Sequence, residues 1–243
     1  MVADDDLIAW AAGLFDGEGS SSMYVPRQRK TPRRQLQVSQ GGVPGPPPEV
    51  LIRFGVIVGE GNITGPYRGY LFYWKTTQKA AIDRVAATLW PYLSAAKRSQ
   101  FEAMTLAAGR PMPAMPRSRR AVVTETAWAA GLFDGEGSVV RSGTSRAPSI
   151  TLEISQASAE GIPDVLERFQ RVVGCGGVYG PYAPRSAWSR LPQYRWSVAG
   201  RRQASDVLRS LWPWLSAPKR ARVVSLASLL DPDFADVERT RTG

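Results

Sequence analysis

Two acidic side chains, Glu18 and Glu136, occupy the same place in two copies of one stretch: residues 9–19 and 127–137 both read Ala-Trp-Ala-Ala-Gly-Leu-Phe-Asp-Gly-Glu-Gly. Eleven identical residues at an offset of 118 mark a tandem duplication. Each acid ends an Ala-rich apolar run that can hold about three turns of helix, with Asp6 and Thr124 as expected N-caps and glycines at 17, 19, 135 and 137 to stop it. Small residues at Ala9, Ala12 and Gly13, and at Ala127, Ala130 and Gly131, leave one side of each helix almost bare. Two such helices can approach closely and set Glu18 beside Glu136. A helix C-terminus already carries partial negative charge, so two carboxylates crowded there would raise each other's pKa unless a cation sat between them. The expected chemistry is therefore oxygen ligation of a hard divalent ion, Mg²⁺ first and Mn²⁺ second. A calcium loop beginning at Asp16 is excluded, because its twelfth position is Arg27, or Ser145 in the second copy, where a bidentate Glu is needed. A single Asp-Gly-Glu-Gly would read as a solvated turn; its duplication argues for a site.

The stretch Ala-Ala-Gly-Leu-Phe-Asp-Gly-Glu-Gly, at residues 11–19 and 129–137, resembles the nine-residue signature of the LAGLIDADG homing endonucleases, in the form of their single-chain members with two motifs. It departs with Ala for Leu at the first letter, Phe for Ile at the fifth and Glu for Asp at the last acid. That last change keeps an oxygen ligand and lengthens it by one methylene. The resemblance implies a metal set of Glu18, Glu136, Gly17 and Gly135. It also implies that Gln40 and Gln156 help to order active-site water, and that Lys97 and Lys219 stabilise phosphate charge or tune the attacking water.

The elements that must position these groups follow from period and turn chemistry. After each motif comes a hairpin, expected over residues 20–27 and 35–40 in the first half. Leu36, Val38 and Gln40 share one face of its return strand, as Leu152, Ile154 and Gln156 do in the second copy. A Gln closing an apolar face in both halves needs a polar partner. An amphipathic helix follows over about residues 49–58, matched near residues 163–169, and then a glycine-rich turn leads into a second hairpin. On its return strand Phe72 and Trp74, like Tyr194 and Trp196, form an aromatic face. The other parity changes chemistry between the halves, as a base-reading face on two unlike half-sites would. A helix over about residues 78–92 is broken at Pro91, as its counterpart is at Pro213, and a last helix starts after Ser94 and Ser216.

The predicted fold class is α+β, with two tandem αββαββα-like repeats, each holding one four-stranded antiparallel sheet, and the motif helices meeting on a pseudo-two-fold axis. Residues 1–109 form the first repeat, the Pro- and Arg-rich residues 110–123 a linker, and residues 124–243 the second repeat.

With 31 Lys and Arg against 21 Asp and Glu, the net charge of +10 calls for a polyanion, and double-stranded DNA fits best. Contacts to it are expected from Arg27, Arg29, Lys30, Arg33 and Arg34 in the first hairpin loop, Arg141 and Arg146 in its counterpart, Arg185 and Arg190 in a longer second-half loop, and Arg117 and Arg119 in the linker. Gln37, Ser39, Tyr73 and Lys75 differ from Glu153, Ser155, Arg195 and Ser197, so the target is expected to be asymmetric. The absence of histidine excludes Ser-His-Asp triads and His-ligated zinc, and the lone Cys175 excludes disulfides. No apolar run approaches a membrane span, and the acidic start is wrong for a signal peptide. A monomer in the cytoplasm or nucleoid of a prokaryote, or in an organelle, is expected. The function inferred is site-specific metal-dependent cleavage of DNA, of the kind that mobilises introns or inteins. A non-catalytic DNA-binding protein and an RNA splicing maturase are the alternatives on the same scaffold.

Overall fold

The computed structural model describes residues 4–25, 31–117, 121–183 and 191–234. Arg27, Arg29, Lys30, Arg119, Arg185 and Arg190 lie outside the described residues. The first half runs α1 (Asp5–Glu18), β1 (Gly19–Tyr24), β2 (Arg33–Gly41), α2 (Glu49–Val58), β3 (Asn62–Tyr67), β4 (Leu71–Thr76), α3 (Lys79–Leu89) and α4 (Ala95–Ala107). The second runs α5 (Val122–Glu136), β5 (Gly137–Gly143), β6 (Pro148–Ala157), α6 (Asp164–Val173), β7 (Gly177–Tyr182), β8 (Gln193–Ala199), α7 (Arg201–Leu211) and α8 (Ala217–Val224), with a short 3-10 turn at Ala227–Leu229. The fold is α+β, and each half has one antiparallel four-stranded sheet, ordered β1-β2-β4-β3 and β5-β6-β8-β7. The chain divides into two compact units, Met1–Gly135 and Glu136–Gly243, so α5 belongs to the first unit except for its last residue.

Both motif helices start earlier than the sequence suggests. Asp4, not Asp6, caps α1, its carboxylate accepting from the Asp6 amide at 3.4 Å. Asp6 falls inside the first turn, where partial burial and then the charges of Asp4 and Asp5 raise its carboxyl above the usual range. Helix α5 begins at Val122, and Thr124 sits at its third position, where its hydroxyl takes the Ala121 amide at 2.9 Å and so satisfies an N-terminal donor from inside the helix.

Period-two alternation decides the core of each sheet. Leu36 and Val38 of β2 and Phe72 and Trp74 of β4 are buried, and Leu152, Ile154, Tyr194 and Trp196 repeat the arrangement in the second unit. Aromatic edges carry the contact between sheet and helix: Phe54 of α2 meets Trp74 at 4.8 Å between centroids, and Phe169 of α6 meets Trp196 at 4.7 Å. Both α2 and α6 stop at a left-handed glycine, Gly59 and Gly174, where the chain turns back into the second hairpin. In the first unit α1 packs on α2 and α3, and α4 on β1.

Arg34 overturns one expectation. Its place in the basic loop predicts a phosphate contact, but it shares the parity of Leu36 and Val38 and therefore points inward. There its guanidinium pairs with Asp83 of α3 at 2.8 Å and donates to the Thr105 hydroxyl of α4 at 3.4 Å, with 3% of the side chain exposed. The equivalent position in the second half is the buried Ile150, which shows that the site is a core position and that Arg34 occupies it only because Asp83 accompanies it. Arg34→Ala should therefore cost about 1–3 kcal/mol in urea unfolding, the lower part of the range reflecting the partly exposed Asp83 and its second partner Arg110.

Candidate active site and nucleic-acid interface

The end of α1 delivers Glu18 to a small polar cluster. Gly19 opens β1 and pairs with Val38 of β2, so Gln40, two residues further along β2, lies level with the end of the helix. Its Nε2 donates to Glu18 Oε1 at 2.9 Å. This is the polar partner that a Gln on the apolar parity requires. From the other side, Lys97 in the first turn of α4 donates from Nζ to the carbonyl of Gly19. Glu18, Gln40 and Lys97 thus converge within one unit although 79 residues separate the first from the last. In the second unit Lys219, in the first turn of α8, makes the corresponding bond to the carbonyl of Gly137. Glu136 is half-buried where α5 ends, and Gln156 is half-buried at the matching place on β6.

The other motif acids behave differently. Asp16 is 2% exposed, which removes the solvated-turn reading for it. Its carboxylate accepts from the Ser94 amide at 2.9 and 3.1 Å, from the Ser94 hydroxyl at 2.8 Å and from the Trp128 indole at 2.7 Å. Reciprocally, Asp134 accepts from the Trp10 indole at 2.9 Å. Each motif helix therefore donates an indole to the acid of the other. Sequence reasoning missed this pairing, although a Trp six residues ahead of the Asp in both copies is its signature. Trp128→Phe keeps the ring and leaves a buried carboxylate one donor short; a loss of about 1–3 kcal/mol of unfolding free energy is expected.

No protein-family model and no curated protein sequence matches the chain. Solved structures do. The LAGLIDADG homing endonuclease I-GzeII, in complex with its DNA target, aligns over 94% of this chain and 94% of its own with a TM-score of 0.59 and 14% identity. The LAGLIDADG meganuclease I-AabMI, bound to uncleaved DNA, aligns over 99% of both chains with a TM-score of 0.60 and 13% identity. The LAGLIDADG meganuclease I-CpaMI, also bound to uncleaved DNA, covers 95% of this chain and 88% of its own, at 0.59 and 12%.

This chain has the two-repeat LAGLIDADG fold.

Its departures from the signature are accommodated by packing. The substituted first letter, Ala11 and Ala129, is fully buried, and at the fifth Phe15 stacks on Phe54 with centroids 6.3 Å apart. Of the two glycines that the resemblance placed in a metal set, Gly17 is half-buried in the last turn of α1, and Gly135 lies against the Glu18 side chain: a Cβ added there would come within 2.9 Å of Glu18 Cγ. Among the described residues no group of three or more His, Cys, Asp or Glu side chains is placed to hold a metal ion. A cation at Glu18 would draw on one or two carboxylates, with water and phosphate oxygens completing its shell, which is how Mg²⁺ is usually held.

The residues expected to read bases lie in cross-strand rows on each sheet. Across the first sheet Ser20, Gln37, Lys75 and Asn62 lie in one row, and Ser39, Tyr73 and Thr64 in the next. In the second sheet Glu153 stands between Ser138 and Ser197, and Ser155 opposite Arg195. These side chains are not independent. Gln35 donates to Gln37 at 2.8 Å, Tyr67 meets Tyr73 at 5.5 Å, and Arg195 pairs with Glu153 at 3.1 Å while its guanidinium lies 5.7 Å from the Tyr182 ring. The edge-strand tyrosines Tyr67 and Tyr182 were not foreseen, because β3 and β7 carry too few alternating residues to show a parity. Arg33 is half-buried, and Arg117, Arg141 and Arg146 are exposed. Among the described residues no helix is long and apolar enough to cross a membrane.

Proposed function

We propose that the chain is a site-specific endonuclease that hydrolyses both strands of a long, asymmetric DNA target with a divalent metal. The observation that carries this reading is the convergence of Glu18, Gln40 and Lys97 at the end of a motif helix, on a basic chain whose LAGLIDADG fold is shared with DNA-bound endonucleases. Glu18 and Glu136 are the metal-holding acids. A bound Mg²⁺ or Mn²⁺ supplies Lewis acidity toward the scissile phosphodiester. Gln40 holds the Glu18 carboxylate in one orientation and keeps its amide oxygen available to a water molecule, with Gln156 in the same role in the second half. Lys97 and Lys219 bring fixed positive charge to phosphate oxygens at the moment charge develops on them. The outer face of each sheet reads base edges, and because Gln37, Ser39, Tyr73 and Lys75 differ from Glu153, Ser155, Arg195 and Ser197, the two half-sites are unlike.

Selection of cleaved sites from a random or genomic DNA library, with Mg²⁺ and with EDTA, tests activity, metal dependence and asymmetry together. Recovery of a single non-palindromic site only with Mg²⁺ supports the reading. Enrichment by binding without cutting would assign the chain to non-catalytic DNA recognition, and preference for structured intron RNA over duplex DNA would favour a splicing role.

A further inference from the structure

The buried Asp16 is not used by the chemistry above, yet it receives more hydrogen bonds than a core position requires. Three of its partners' donors come from two other elements: the Ser94 amide and hydroxyl from the start of α4, and the Trp128 indole from α5. Ser94 is also the N-cap of α4, its hydroxyl accepting from the Lys97 amide at 3.3 Å. Lys97 in turn reaches back to the carbonyl of Gly19, three residues beyond Asp16 in the chain. The end of α1 and the first turn of α4 are therefore joined through Asp16 and Ser94 and again through Lys97 and Gly19, and Glu18 lies between these two joints in the chain.

The electrostatics need such an arrangement. An ammonium group in the first turn of a helix stands at the positive end of the dipole, where it is disfavoured. A carboxylate at the same helix end offsets that cost and ties the turn to a fixed neighbour. Ser94 and Asp16 are each 2% exposed, so water does not compete for these bonds.

We propose that Asp16 is a positioning residue that holds the first turn of α4 against the end of α1, so that the Lys97 ammonium is kept on the Gly19 carbonyl beside Glu18. The proposal rests on the nuclease reading for its purpose but not for its geometry, and the two are tested separately. The geometric arm measures competitive acetylation of lysines by mass spectrometry. Asp16→Asn should raise the reactivity of Lys97 about tenfold relative to wild type while leaving Lys219, which makes the same bond in the other unit, unchanged. Unchanged Lys97 reactivity, or an equal rise at Lys219, overturns the proposal. Where Asp16→Asn does not fold, Ser94→Ala removes only the hydroxyl joint and should give a smaller rise confined to Lys97, no rise again overturning it.

The kinetic arm is a double-mutant cycle with Lys97→Met. If Asp16 acts through Lys97, Asp16→Asn lowers kcat about tenfold in the wild-type background and less than about twofold when Lys97 is already gone, with KM for DNA unchanged in both. Losses that multiply overturn the positioning role. A wild-type chain that does not cut DNA refutes the nuclease reading instead, and the acetylation result then decides the proposal alone.

Discussion

Gly13→Ala is expected to destabilise the first unit by about 3 kcal/mol or more, although alanine is the better helix former. On propensity alone the change in mid-helix should stabilise by about 1 kcal/mol. Packing decides the opposite. A Cβ at Gly13 would stand 1.9 Å from the carbonyl oxygen of Trp128, 2.8 Å from its carbonyl carbon and 2.9 Å from the amide nitrogen of Leu132. All three are backbone atoms, so no rotamer change relieves the clash and α5 must move away as a body. That movement stretches the two indole-to-carboxylate bonds, Trp10 to Asp134 and Trp128 to Asp16, and opens the small-residue seam behind them. Overpacking a core by one methyl commonly costs about 1–3 kcal/mol, and a contact this short against immovable backbone puts the loss at or above about 3 kcal/mol. Gly131→Ala should behave alike, since its Cβ would meet the Trp10 carbonyl oxygen at 1.9 Å. Urea unfolding followed by far-UV circular dichroism checks both. A Gly13→Ala protein as stable as wild type would mean that α1 and α5 do not pack as described, and the seam would have to be abandoned.

Glu18→Gln combined with Glu136→Gln should lower Mg²⁺-dependent cutting by about a thousandfold or more, with metal-free DNA binding changed less than about threefold. The amide keeps the volume of the acid and an oxygen acceptor, and removes only the charge that a divalent cation needs. At position 18 it can still accept from Gln40, so the cluster keeps its shape. Lys97 donates to the backbone carbonyl of Gly19, a bond that the substitution does not remove. Loss of cutting with retained binding separates metal holding from DNA recognition. Undiminished cutting would remove both acids from the mechanism.

How much of this was legible beforehand depended on whether a pattern is local. Period two placed Phe72 and Trp74 inside and Lys75 outside. The helices around Glu49, Pro91 and Ser94 followed from turn and breaker residues, because each is a statement about a few consecutive backbone torsions. Arg34 was misplaced because its charge was read before its parity, and the alternation with Leu36 and Val38 already pointed it inward. The N-termini of α1 and α5 lie two and three residues earlier than the sequence suggests, because three consecutive aspartates, and a threonine that bonds backwards from the third position, offer the cap to more than one residue.

The duplication, the α+β class, the helix-ending acids and the basic character are properties of the chain taken in order, and the sequence alone determined them. What only the tertiary structure decided is which groups meet. Gln40 on Glu18, Lys97 on the Gly19 carbonyl, Asp16 shared by Ser94 and Trp128, and Arg195 braced by Glu153 are contacts between elements tens of residues apart. Their geometry is set by strand register and by the closeness that two bare helix faces permit, and neither quantity is written in any single stretch of residues.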